Sequence, residues 1–501
     1  MNRNRRTTSG HTRLSRQRPI VLLVLAAVLL PLFVACQTVA ATGQRRLNLV
    51  GERQEIELGR EYDASVVATI GEYRDESLNA YVHELGTRIA ETTERPHLPW
   101  TFRVIEDTAV NAFAVPGGFV YVTRGILPYF ENETELIGVL AHEVAHITAM
   151  HSVVRLSRLQ FGQLGLGLLS ALDPENGVLL AVSQLGLEAL FLRHSRTDEL
   201  QADELGVRYM AGVGADPRVL GDVMTMLEDV SRIRGASTLP EWWSTHPTPA
   251  NRRAAIESHA RRLDPATYAP PDREGFLARL DGLIFGENPR EGVVYADFYY
   301  HPDLRFYFRI PDRWAVINRK DVVLALSPGR DAIVQLSISG EDSADAAMRR
   351  FYADPAVSGQ YRHVGAPHGV PSVRGEFSAT VGADYLRGEI VYAEYGGRVY
   401  QILGYANDRD WSTHEASVRR STGSFAPLTE AGGALHREIL QLQPQRVSIV
   451  TPTSTMVASE VHRRYSSDIP LREFLLLNRL REDSVVQAGS SVKAVVGSVL
   501  R

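Results

Sequence analysis

Apolar side chains recur every three to four positions from Thr134 to Met150, at Leu136, Ile137, Val139, Leu140, Val144 and Ile147, with no proline to interrupt them. That spacing predicts a helix, and Asn132 or Thr134 could cap its start. Two earlier amphipathic stretches, Glu52–Ile70 and Leu78–Thr92, read as helices leading to strands at Thr101–Ile105 and Gly118–Thr123. Further helices are expected at Leu200–Ala211, Pro217–Arg232 and Ala250–Arg262. From about Gly292 the period changes to two. Strands are expected at Phe306–Ile310, Val322–Leu326, Ile333–Ser339, Gly375–Thr380, Glu389–Tyr395 and Arg398–Tyr405, with a turn at Gly396-Gly397 and helices at Ala344–Tyr352 and Trp411–Ser421. The final stretch reads strand–helix–helix–strand: Arg446–Val450, Val457–Tyr465, Leu471–Asn478 and Ser491–Val496.

These patterns make an α+β multidomain chain. The 501 residues exceed what one core organises. We place a mainly helical domain with a small sheet at 37–285, an antiparallel α+β domain at 290–428 and a small βααβ module at 440–501. Pro265–Pro271 reads as a boundary element. The apolar region Phe161–Leu192 is divided by Asp173-Pro174-Glu175-Asn176 into two pieces too short to cross a bilayer, which read as helices packed beside a cleft. The arginine clusters Arg155–Arg158 and Arg252–Arg262 read as solvated helix faces.

The first helix named carries His142-Glu143-Val144-Ala145-His146, an H-E-x-x-H string. Two histidines four apart share one helix face, so both imidazoles can reach one zinc ion, with Glu143 beside the metal's water as general base. A catalytic zinc needs a third protein ligand. His151, five residues after His146, is rotated about 140° on a continuous helix and reads as a helix-end residue. The metzincin extension is missing, because Ala149 and Ser152 stand where it needs glycine and histidine. Among Glu175, Glu188, Asp198, Glu199 and Asp203, the pair Glu199 and Asp203 is four apart around a small Ala202 that permits close helix packing. One carboxylate can ligate while the other orients a ligand histidine, and Glu199 is the best candidate for the ligand.

Ser195-Arg196-Thr197-Asp198-Glu199-Leu200-Gln201-Ala202-Asp203 resembles the S-R-x-x-E-x-x-A-D signature of the gluzincin peptidases related to HtpX and the CAAX prenyl protease. Asn111-Ala112-Phe113-Ala114-Val115-Pro116-Gly117-Gly118, followed by Val120 to Gly125, is similar to that family's edge-strand segment. Thr245-His246-Pro247 with Arg252 is similar to its T-H-P motif and following arginine. The four motifs occur in family order and cover about half the chain. The resemblance implies a zincin-like fold with one Zn2+ per chain, bound by His142, His146 and Glu199. It also implies Glu143 as base and Asp203 as orienter. His246 would stabilise an oxyanion or occupy the open position in a latent state, and Arg252 would polarise the transition state or fix a carboxylate. Asn111, Ala112, Phe113 and Ala114 would form an edge strand that pairs with an extended peptide.

The N-terminus adds a destination. Six arginines and no acid in the first nineteen residues precede the apolar stretch Ile20–Ala35, suited to the core of a signal peptide. Leu32-Phe33-Val34-Ala35-Cys36 resembles a bacterial lipobox, with residues 1–36 as lipoprotein signal peptide and Cys36 as the lipidated residue. Phe33 departs from the usual leucine. Cys36 is the chain's one cysteine, so no internal disulfide competes for it. Gln37 favours outer-membrane sorting. The net charge of −5 gives no reason for nucleic-acid binding. The 290–428 domain is faintly similar to PsbP-like modules. The 440–501 segment resembles a degenerate LysM module, suggesting peptidoglycan, although Pro452-Thr453-Ser454 replaces the usual glycine-aspartate-threonine. The expected protein is an envelope-anchored zinc endopeptidase resembling BepA-like periplasmic members, acting on misfolded or stalled envelope proteins. The alternative is a non-proteolytic chaperone or assembly scaffold that keeps a zinc-stabilised fold.

Overall fold

The computed structural model describes residues 36–157, 194–234, 246, 251–264, 268–382 and 384–497. The signal segment, the apolar stretch Phe161–Leu192 with Glu175 and Glu188, and residues 265–267 of the boundary element lie outside the described residues.

The described chain starts with a short antiparallel hairpin, β1 (Cys36–Thr38) and β2 (Arg45–Leu47). Helices α1 (Glu52–Thr69) and α2 (Glu76–Glu91) follow. In α2, Leu78, Tyr81, Val82, Leu85 and Ile89 are buried at three- and four-residue spacing, and Asp75 caps the first turn by accepting from the Leu78 amide at 3.0 Å. Strands β3 (Thr101–Ile105), β4 (Ala112–Val115) and β5 (Phe119–Thr123) form a sheet in the order β3–β5–β4. Buried along its whole length, β5 occupies the centre and leaves β4 at an edge. The turn between β4 and β5 requires glycine: Gly117 has φ +82°, and a Cβ there would meet the Ile56 Cα at 2.8 Å.

Helix α3 (Glu133–Thr148) buries every residue from Thr134 onward and is capped by Asn132, whose side chain accepts from the Glu135 amide. It ends two residues before the expected Met150. Met150 adopts a left-handed φ of +59°, and a second helical segment runs over residues 151–157. Helix α4 (Arg196–Gly212) lies against α3; Ala202 is fully buried, and Gly206 faces the α3 backbone, where a Cβ would lie 3.5 Å from the His142 nitrogen. Its start carries a capping box between Ser195 and Asp198. Helices α5 (Val219–Arg234), α6 (Arg252–Ala260) and α7 (Arg273–Leu280) complete the domain. The expected solvated face of α6 needs one correction. Arg253, Arg261 and Arg262 are exposed, but Arg252 is only 1% exposed because it points at two carboxylates.

The next region has two sheets. A seven-stranded antiparallel sheet is ordered Val357–His363, Ser372–Val381, Asp384–Tyr395, Arg398–Asn407, Ala332–Ser339, Val322–Leu326, Ala315–Asn318, with helices Ala344–Tyr352 and Asp408–Thr422 packed on it. The Phe306–Arg309 strand, expected in this sheet, belongs to a separate four-stranded one with Val293–Tyr295, Phe298–His301 and Ala426–Pro427. At the chain's end, Arg446–Val450 pairs antiparallel with Val492–Val496, and helices Ala458–Tyr465 and Leu471–Leu477 lie between them in sequence. Among the described residues, this module has no separate core. Phe474, Leu477 and Val495 join the apolar cluster that includes Leu136 and Leu140 of α3. Main-chain hydrogen bonds from Gly282 to Val447 and from Val447 to Leu283, each 2.8 Å, stitch it to the segment after α7.

Candidate metal centre

Helix α3 places His142 and His146 one turn apart and holds their Nε2 atoms 3.1 Å from each other. Glu199, projecting from the first turn of α4, puts Oε2 3.5 Å from His142 Nε2 and Oε1 3.5 Å from His146 Nε2. His246 Nδ1 lies 3.2 Å from Glu199 Oε1 and 3.4 Å from His142 Nε2. All four side chains are at most 2% exposed. Donors bound to a tetrahedral zinc at about 2.1 Å stand about 3.4 Å apart, so the spacing and the N,N,O chemistry of this set fit that ion. His246 supplies the fourth donor of the cluster and would fill the ion's remaining, fourth corner.

Each histidine of α3 has its second ring nitrogen engaged. His142 Nδ1 is 3.2 Å from Asp203 Oδ1, and His146 Nδ1 is 2.9 Å from His151 Nδ1. Asp203 is in turn gripped by Arg252, whose Nε and Nη2 lie 2.8 and 2.7 Å from its two oxygens, while Arg252 Nη1 reaches Glu199 Oε2 at 3.0 Å. Of the two roles expected for Arg252, the geometry is that of a carboxylate clamp. His151 corrects the sequence reading. The helix breaks at Met150 and turns this imidazole back onto His146, so a rotation computed along an unbroken helix does not apply.

Burial lowers a histidine and raises a carboxyl group, and here the neighbours decide the outcome. Burial pushes His142 down, but Asp203 and Glu199 outweigh it and raise it to about 9. Burial, reinforced by His194, holds His146 well below its ordinary value, and burial brings His151 down to about 4. Burial raises the Glu143 carboxyl group, whose Oε1 lies 3.5 Å from His246 Nε2. Burial would also raise Glu199, but His246, His142 and Arg252 keep it well below the carboxylate range.

Along the edge strand, the Asn111, Ala112 and Phe113 side chains are buried and Ala114 is partly exposed. A hollow lined by Ala114, Pro116, His146, Ile147, Met150 and Val153 opens between β4 and the end of α3. Glu55 also lines it, and accepts from Arg95 at 3.0 and 2.7 Å and from the Gly117 amide at 3.1 Å. Arg95 also donates to the Ile147 carbonyl at 3.2 Å, so this buried pair ties α1 to the end of the metal helix. Sequence reasoning set His151 aside as a helix-end residue and missed Glu55, Arg95 and His194, whose ring centroid is 4.0 Å from that of His146. The only local signals were a histidine beside the S-R motif and another shortly after H-E-x-x-H.

Residues 76–260 match the profile of Peptidase family M48. The chain is 30% identical over 220 residues to the beta-barrel assembly-enhancing protease of Yersinia pestis, a match covering 42% of this chain and 45% of that protein. It is 28% identical over 220 residues to the beta-barrel assembly-enhancing protease of Escherichia coli K12, with the same coverage. Against the mitochondrial metalloendopeptidase OMA1 of Arabidopsis thaliana it is 32% identical over 198 residues, covering 39% of this chain and 38% of the other. The chain spans less than half the length of these relatives. The solution structure of cyanobacterial PsbP from Synechocystis aligns with 27% of this chain and 95% of its own, at 15% identity and a TM-score of 0.23. The motifs, the buried donor set and the profile match agree: residues 76–260 match Peptidase family M48, and they carry a donor set that suits one zinc ion.

Proposed function

We propose that this chain is a zinc-dependent endopeptidase of the bacterial envelope, facing the periplasm and anchored through a lipid on Cys36, which hydrolyses misfolded or stalled envelope proteins. The observation that carries the reading is the convergence of His142 Nε2, His146 Nε2 and Glu199 at 3.1–3.5 Å, with Glu143 buried beside them. His142, His146 and Glu199 would hold the ion. When bound, zinc acidifies a water and polarises the scissile carbonyl. Glu143 takes a proton from the attacking water and returns it to the leaving amine. An unfolded segment would pair in extended form with the outer edge of β4. His246 must leave the fourth corner for water to enter, which supports its reading as a latch.

The relatives' names, protease and metalloendopeptidase, support the reaction class, and the beta-barrel assembly-enhancing proteases support an envelope setting. The alternative, a scaffold without hydrolysis, leaves Glu143 unexplained, because structural zinc needs no base. Casein cleavage by wild type and by Glu143→Gln separates the two. Hydrolysis should vanish in the variant while zinc stays bound; a purified variant that still cleaves removes the assignment. For the terminal module, peptidoglycan is the proposed ligand, and sedimentation of the full chain with purified sacculi tests it.

A further inference from the structure

Arg46 lies on β2, far in sequence from every metal-site motif, and its guanidinium bridges two side chains on α4. Nη1 is 3.0 Å from Asp198 Oδ1, and Nη2 is 2.8 Å from Gln201 Oε1. A guanidinium only donates, so it fixes the oxygen of the Gln201 amide, rather than its nitrogen, at this point. The same oxygen lies 3.0 Å from His151 Nε2, which must therefore carry the proton of that contact. A neutral His151 protonated on Nε2 has a bare Nδ1, and that atom is 2.9 Å from His146 Nδ1. The hydrogen bond between them then requires the proton on His146 Nδ1. His146 Nε2 is left as a lone pair aimed at His142 and Glu199.

We propose that Arg46 is a positioning residue for the metal centre: through Gln201 and His151 it sets the tautomer in which His146 presents Nε2 to the ion. This rests on the zinc-site reading above. Four side chains from three parts of the chain make the relay, and each link has one chemically permitted direction. Arg46 gives only protons, Gln201 Oε1 only accepts, and each neutral imidazole gives at one nitrogen and accepts at the other. The relay mirrors the Arg252–Asp203–His142 arrangement on the other ligand, with a neutral amide and imidazole in place of a carboxylate. It also makes the hairpin that begins at Cys36 part of the metal site.

The test is zinc affinity, measured by chelator competition, with the melting temperature of the metal-free protein as a second readout. Arg46→Met keeps the aliphatic stem and removes the donors. Gln201→Leu removes the acceptor, and Gln201→Glu keeps an oxygen that accepts from both neighbours. Arg46→Met and Gln201→Leu should each weaken zinc binding by about tenfold, the lower end of what loss of an outer partner causes. Gln201→Glu should stay near wild type, and the metal-free melting temperatures should remain together. Wild-type affinity in Arg46→Met overturns the relay, as does a loss in Gln201→Glu equal to that in Gln201→Leu. Failure of the unaltered protein to bind zinc removes the underlying site itself, and it shows before any variant is compared.

Discussion

Lys493 Nζ lies 2.8 Å from Glu131 Oε1, and none of the lysine is exposed. The pair joins the Val492–Val496 strand to the residue just before Asn132, the cap of α3. Lys493 also donates to the Phe130 carbonyl at 2.8 Å, and Arg479 reaches Glu135 at the same distance. The terminal module is therefore seated on the start of α3.

Removing one member of a buried pair strands the other charge, at about 3–5 kcal/mol. Lys493→Met should fall at the low end, because Glu131 keeps Arg273 at 3.0 Å. A loss of about 3 kcal/mol is expected, and adding Glu131→Gln should recover much of it. Urea unfolding of the single and double variants checks this. A double variant no better than the single would mean that the lysine acts by packing rather than by pairing.

The same pair gives an acid limit. Burial raises Glu131, but Lys493 and Arg273 outweigh it and hold the carboxyl below its ordinary 4.5. A carboxyl group lowered in the folded state contributes stability above its unfolded value, and that stability is lost as pH falls through the folded one. Wild type should therefore lose part of its margin over Lys493→Met once the pH drops below about 4.5. Melting temperatures of both proteins from pH 7 to pH 3 test the sign; a margin that widens in acid contradicts it.

Arg252→Lys tests the clamp. One ammonium group cannot reproduce three contacts to two buried carboxylates, so Asp203 or Glu199 loses its partner. Zinc affinity should fall by about tenfold or more. Equal affinity in wild type and variant would show that the guanidinium fork does not set the ligand geometry.

His246→Ala distinguishes the latch from the oxyanion donor. A donor to the transition state, once removed, lowers kcat by about 10²–10³. A latch at the fourth corner, once removed, admits water and raises basal casein cleavage while loosening zinc modestly. The second result is expected, because His246 Nδ1 lies within 3.4 Å of both Glu199 and His142. A hundredfold fall in kcat with zinc retained would reverse the assignment.

What the sequence makes legible is what linear spacing encodes. His142 and His146 share a face at four residues, Glu199 and Asp203 do the same on α4, and the period-two stretches of the middle region become strands. Spacing does not carry interactions that depend on a break or on distant pairing. His151 reaches His146 only because the helix is interrupted by a non-glycine residue, Met150. Arg46 meets Asp198 across 152 positions of sequence. Lys493 sits in Val-Lys-Ala-Val-Val, where alternation suggests a solvated lysine, yet its partner is Glu131, an acid just before α3. The Val357–His363 strand is exposed along nearly its whole length, so no apolar alternation announces it.

Met150 offers the sharpest separation of packing from function. A left-handed backbone costs an ordinary side chain about 1–2 kcal/mol, is tolerated by asparagine and is worst for a β-branched residue. Met150 also packs partly against the main core. Met150→Val keeps apolar surface but opposes φ +59°, so the break should shift and carry His151 away from His146. Met150→Asn suits the backbone but gives up the packing. Valine should therefore weaken zinc binding by about tenfold, the scale expected when a ligand loses its outer partner. Asparagine should lower the melting temperature while leaving zinc affinity near wild type. If both variants track stability alone, the turn at Met150 only fills space, and the contact between His151 and His146 has no part in holding the metal.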